Sequence, residues 1–149
     1  MKNIDECSQI VKHKEIKLSE KRSKIIFLNQ ASREITKVQV DGCLNFKGTK
    51  CDWLLIVEEP KKIEIYVELK GSDVRHAFKQ LENTIINISA DKQKQIKFCY
   101  IITTKSPLSS PEIQNKAKIF KKTYNSNLRV KKTGYKEKLS TLTARKEKL

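Results

Sequence analysis

The chain has 149 residues, 38% of them hydrophobic, and 32 Lys and Arg against 17 Asp and Glu give a formal net charge of +15. The hydrophobic share excludes a wholly disordered chain, the length suits one compact domain, and no run of about 18 apolar residues is present to span a membrane. A positive balance of this size favours a polyanionic partner, nucleic acid first.

An AT-rich genome also inflates lysine, isoleucine and asparagine, but the distribution here is uneven. From Lys116 to Leu149 there are 12 Lys and Arg and 2 Asp and Glu, so +10 of the +15 lies in the last quarter. The stretch Met1 to Lys17 is mixed and charged and lacks the apolar core of a signal peptide, which predicts a cytoplasmic protein. The four cysteines, Cys7, Cys43, Cys51 and Cys99, form no Cys-x-x-Cys pair, and His13 and His76 add no metal-ligand spacing. Reduced, buried thiols are expected, with a Cys43–Cys51 bridge across a hairpin as the alternative.

In chain order, Asn3 to Lys17 reads as a short amphipathic helix, with Ile4, Cys7, Ile10 and Val11 at helical spacing. Lys24 to Leu28 and Ile35 to Asp41 read as strands, the second by alternation of Val38 and Val40 with polar residues. A turn at residues 45–49 leads to the apolar strand Cys51 to Val57, and Pro60 breaks it. Ile63 to Lys70 is a strand whose apolar run suggests a central, doubly covered place. Ser72 or Asp73 caps a helix from Val74 to about Ser89, with Ala77, Phe78, Leu81, Ile85 and Ile88 as its stripe. Lys97 to Thr103 is a further buried strand. A loop over Ser106 to Ser110 precedes a basic helix opened by Pro111, and Leu128 to Lys132 is an edge strand. This gives one domain over residues 1–134 and a loose basic tail over 135–149.

The chemistry concentrates in Tyr66-Val67-Glu68-Leu69-Lys70-Gly71, with Cys51-Asp52-Trp53 upstream. Glu68 and Lys70 lie two apart on a strand, so both point to one face. Asp52 opens another apolar strand. Two carboxylates and a lysine on a sheet face suit metal-dependent phosphodiester chemistry, the acids holding a divalent cation and the lysine steadying water or phosphate. The bland alternative is a solvated ion pair. Charges in otherwise apolar strands, however, are rarely tolerated without a partner or a metal. Asp41 is a further candidate acid almost opposite Asp52, although Asp41-Gly42 is also a turn-forming pair. Trp53 is expected on the face opposite Asp52, as core.

An acid at the start of one strand and Glu-x-Lys near the end of the next, followed by a helix and a strand, resembles the PD-(D/E)xK nuclease superfamily, which includes type II restriction enzymes and Holliday junction resolvases. The resemblance covers about Ile35 to Thr103. It implies an α/β, restriction-endonuclease-like mixed sheet: an antiparallel meander, then a right-handed parallel βαβ unit, flanked by helices. It also implies a Mg2+- or Mn2+-dependent endonuclease acting on DNA rather than RNA, with Asp52, Glu68, the backbone carbonyl of Leu69 and, as a further ligand, Asp41 around the cation. Lys70 would be the catalytic lysine. Gln80, on the following helix, matches a glutamine that reaches the site in RecB-like members, although the tyrosine of that motif is replaced by Thr84. Members often carry another glutamate on an early helix, a place that Glu20 or Glu34 fills. By the same analogy a homodimer is expected.

Arg75 and His76 open the helix near the expected site mouth. Lys116, Lys118, Lys121, Lys122, Arg129, Lys131 and Lys132 are the candidate contacts to a nucleic-acid backbone. The competing expectation is a non-catalytic nucleic-acid- or protein-binding module of the same fold, working as a subunit of a larger defence or mobile-element system.

Overall fold

The apolar strands expected in the middle of the chain form the centre of the molecule, in a computed structural model that describes residues 3–69, 74–105 and 110–144. The strands are β1 (Ser8–Val11), β2 (Glu15–Glu20), β3 (Ser23–Leu28), β4 (Ile35–Gln39), β5 (Trp53–Val57), β6 (Ile63–Leu69), β7 (Lys97–Thr103), β8 (Ser126–Lys132) and β9 (Tyr135–Lys138). The helices are α1 (Val74–Ile88), α2 (Pro111–Tyr124) and α3 (Leu139–Thr143). Lys70 to Asp73, including the expected helix cap at Ser72 or Asp73, lies outside the described residues, as do residues 106–109 and 145–149.

The fold is mixed α/β. A six-stranded sheet runs β1-β4-β5-β6-β7-β8, and a second sheet runs β2-β3-β9. β4, β5 and β6 form the expected antiparallel meander, and β6, β7 and β8 are parallel. Alternation along the strands builds two cores. Leu54, Tyr66, Cys99 and Ile101 meet Leu81, Ile85, Phe120 and Tyr124, so α1 and α2 cover one face. Leu55, Ile65, Val67 and Tyr100 meet Phe27, Leu18 and Leu142, so the smaller sheet and α3 cover the other. Every residue of β6 and β7 is buried, as expected for parallel strands between two layers.

Two expectations fail. The amphipathic helix over Asn3 to Lys17 is a short 3-10 turn, Asp5–Cys7, followed by β1 and β2. Spaced apolar residues alone do not separate one helix from two short strands when Lys12-His13-Lys14 can turn between them. The loose tail expected from Tyr135 instead forms β9 and α3 over residues 135–143. β9 pairs in parallel with β3, and Leu139 and Leu142 reach the core. Its core-facing residues, Tyr135, Leu139 and Leu142, are too few to make a stripe in the sequence.

Burying charged residues in β6 and β7 requires partners. Glu64 Oε1 accepts from Tyr66 Oη (2.8 Å) and Ser89 Oγ (2.7 Å), and Oε2 accepts from Ala90 N (2.9 Å). Burial, and next the Glu64 carboxylate, push the Tyr66 phenol up, so it stays a donor. Lys97 is the register partner of Glu64. Its Nζ lies within 3.1 Å of the carbonyls of Asp91, Lys92, Gln95 and Tyr124. Desolvation lowers its pKa. The ammonium thus ties the α1–β7 loop to the end of α2.

The cysteines differ from both expectations. Cys7 and Cys43 form a disulfide, and Cys51 and Cys99 are buried thiols. The bridge tethers the 3-10 turn to the turn after β4, a proximity that follows from β1 pairing with β4. Burial raises both free thiols, Cys99 to about 12.

Replacing Lys97 by Met leaves several carbonyls unsatisfied and lowers unfolding free energy by about 3 kcal/mol in urea titrations, while exposed Lys136→Met changes it by less than about 0.5. Without reductant, DTNB is expected to label no thiol in the native chain and two per chain in guanidinium.

Candidate active site

A cleft of about 800 Å³ opens where β6 and β7 end. In open α/β sheets, the carboxyl ends of parallel strands are where ligands bind. Its floor includes Asp52, Glu68, Leu69 and Gln80, and its walls include Glu20, Asp41, the β2–β3 turn and Lys105. Trp53 pairs with Val67, so Asp52 and Glu68 are the next residues outward on adjacent strands. Glu68 is only 2% exposed. Asp52 Oδ2 accepts from Leu69 N at 2.8 Å, which fixes its carboxylate against the end of β6.

Asp52 is delivered by a segment that α1 holds. Asn83 Nδ2 donates to the carbonyls of Lys47 (3.0 Å) and Thr49 (2.8 Å), and Gln80 Nε2 donates to Lys50 O (3.1 Å). Thr84 Oγ1 accepts from Cys51 N at 3.0 Å and donates to Gln80 O at 2.7 Å. Gln80 therefore lines the cleft and also holds the segment that delivers Asp52. Its Oε1 is buried with no hydrogen-bond partner among the described residues. Thr84 fastens the strand entry next to Asp52. Gly48 belongs to the same grip. It has φ +96°, and a Cβ there would lie 2.6 Å from Asn83 Nδ2. The sequence signal for this grip was the polar edge Gln80-x-x-Asn83-Thr84 beside the apolar stripe of α1.

The remaining candidates separate. Asp41 lines the cleft, but its N donates to Cys51 O (3.1 Å) while Val40 N donates to Asp52 O (3.0 Å), so it stands one residue beyond the place facing Asp52. It also belongs to a turn with Gly42 at φ +85°, the turn-forming role of the Asp-Gly pair. Glu20 lines the cleft, from the end of β2 rather than from an early helix; Glu34 pairs instead with Lys12 (3.4 Å). Trp53, expected to be buried core on the opposite face, is half-buried. It packs on the core, lines the cleft and carries Lys37 Nζ 4.8 Å over its ring. Lys70 lies outside the described residues. Arg75 joins α1 to α2 through Glu112 (3.1 Å), and His76 is exposed on the same turn.

The basic residues expected to bind nucleic acid do not form one surface. Arg129 pairs with Glu137 (2.9 Å) and lies over the Phe98 and Tyr100 rings; Lys131 covers Tyr135, and Lys116 covers Phe78. Lys118, Lys121 and Lys122 are exposed on α2. α2 runs away from the carboxyl end of β7, and its last turn reaches Tyr124, whose carbonyl binds Lys97 at the far end of the sheet. Lys121 and Lys122 are therefore at the end opposite the cleft. Lys132, exposed and paired with Thr103, is near it.

Among the described residues no three His, Cys, Asp or Glu side chains stand together as a ready metal-ligand group. A cation at this site would rest on the Asp52 and Glu68 carboxylates with main-chain and water oxygens, a donor set suited to Mg2+.

Thr84→Val removes the acceptor for Cys51 N and lowers unfolding free energy by about 1–2 kcal/mol in urea titrations. Gly48→Ala is expected to destabilise by about 1–3 kcal/mol, through its left-handed backbone and the Asn83 contact.

Comparison of the chain with protein-family models, curated proteins and solved structures gives no match.

Proposed function

We propose that the chain is a metal-dependent endonuclease of the PD-(D/E)xK type, with a restriction-endonuclease-like core in β4 to β7 and α1, acting on DNA. The observation that carries this reading is the meeting of Asp52 and Glu68 in one cleft at the carboxyl end of β6, with Glu68 buried in an otherwise apolar stretch. Asp52, Glu68 and the Leu69 carbonyl would hold Mg2+ or Mn2+. A cation bound there supplies Lewis acidity to a phosphoryl oxygen and lowers the pKa of coordinated water.

The chain's own part is positional. Asp52 is held by Leu69 N and by the α1 grip on residues 47–51. Gln80 lines the cleft and, through its amide nitrogen, holds the Lys50 carbonyl two residues before Asp52. Lys70 is assigned, by resemblance alone, the orientation of the attacking water and the offset of phosphate charge. Water attack forms one P–O bond, an ester P–O bond breaks, and no covalent enzyme intermediate arises. Glu20 and Asp41 are further acids within the cleft.

A panel of plasmid, linear duplex, single strand, branched junction and RNA, each with Mg2+ or Mn2+, tests the assignment. Cleavage is expected to vanish in EDTA and to fall by about 10³-fold or more in Asp52→Ala, Glu68→Ala and Lys70→Ala with melting curves preserved. Full activity in EDTA or in these variants would refute it. Calorimetry is expected to show Mn2+ binding to the wild type and none to Asp52→Ala. Intact DNA binding without any Mn2+ binding would favour the non-catalytic module.

A further inference from the structure

We infer that the tip of the β2–β3 hairpin, Lys21-Arg22, together with Lys105, forms a basic lip that holds the phosphodiester backbone of a nucleic acid across the acidic floor of the cleft. The substrate class rests on the nuclease reading, whereas the location rests on the geometry of the lip.

Three observations carry it. Lys21, Arg22 and Lys105 line the same cleft as Asp52 and Glu68, so three cations, with Glu20 and Asp41 among them, stand around an anionic floor. A phosphodiester strand needs both parts: cations along its backbone, and carboxylates where a metal offsets the reacting phosphate. Second, these three cations are uncommitted. Among the described residues, no ion pair or hydrogen bond engages the side chains of Lys21, Arg22 or Lys105, whereas Arg129, Lys131 and Lys116 are occupied by a carboxylate or by aromatic rings.

Third, the tip is held in place over the cleft. Glu20 and Ser23 close the hairpin, and Lys21 has φ +52°, a backbone region that side chains with a Cβ rarely adopt. Thr133 braces the tip: its Oγ1 donates to Arg22 O (3.2 Å) and accepts from Lys24 N (2.9 Å), while its N donates to Thr103 O at the end of β7 (2.7 Å). Thr103 Oγ1 donates in turn to Lys105 O. One threonine thus joins the hairpin tip to the strand end from which Lys105 extends. Strain and bracing at a cleft mouth suit positioning of a ligand better than a solvated turn does.

Fluorescence polarisation with a labelled duplex and its single strand tests the lip, titrated in EDTA with the full chain. Lys21→Gly removes the charge while suiting the left-handed backbone, and Arg22→Gln removes the second charge. The double variant is expected to bind about 60-fold more weakly at about 0.1 M salt and to flatten the salt dependence by about 1.8. Lys105→Gln, on a separate segment, is expected to cost about 8-fold alone. Lys121→Gln with Lys122→Gln removes equal charge at the other end of the sheet and is expected to change affinity by less than about 3-fold. Equal losses for the two double variants would overturn the inference. So would an unchanged salt slope in the tip variant, or no measurable wild-type affinity at about 50 mM salt. If the wild type never cuts but the tip variants lose affinity, the nuclease reading falls and the lip stands. If it cuts while binding ignores the tip, the lip falls alone.

Discussion

The structure depends on one constraint: β6 is covered on both faces, yet its helix-facing side carries two carboxylates, Glu64 and Glu68. Neither can be buried without neighbours arranged around it. At the start of the strand the fold closes over Glu64. Tyr66, Ser89 and the Ala90 amide bond it, and Lys97 beside it gathers four carbonyls. At the other end the sheet opens, and Glu68 faces the cleft with Asp52. One strand therefore holds a structural carboxylate and a candidate catalytic one, on the same face with Tyr66 between them.

Helix α1 links this constraint to the site. Its apolar stripe packs on the sheet, while Gln80, Asn83 and Thr84 hold the polar backbone of residues 47–51. That segment has no regular pairing of its own until β5 begins, so its carbonyls need donors from elsewhere. The helix supplies them, and Asp52 follows directly in the chain. The same helix thus covers the core and aims the acid.

The central strands, α1 and α2 were legible in the sequence because long apolar runs and one clear stripe admit few alternatives. The meeting of Asp52, Glu68 and Gln80 was legible for the same reason: each lies at a fixed offset on such an element. What was not legible depended on distant partners. Ile4, Cys7, Ile10 and Val11 fit a helix by spacing, and only pairing with β4 makes strand of Ser8–Val11. Tyr135–Lys138 is polar on its face and becomes a strand through β3. Arg129 reads as a free cation until Glu137 folds back against it. Glu64 and Glu68 are equivalent in the pattern, and only the ends of the sheet tell them apart.

The contact between Lys24 and Thr133 spans 109 positions, and β3 meets β9 over a similar interval. Closing so long a loop is entropically costly, and contacts of this range form late. The meander and the βαβ unit are local and can assemble first. During synthesis the wall of the cleft that contains Lys21 is therefore set only after residues 133–138 have left the ribosome. A nascent chain can thus assemble the acidic floor of the cleft before the wall that contains Lys21 is fixed against it.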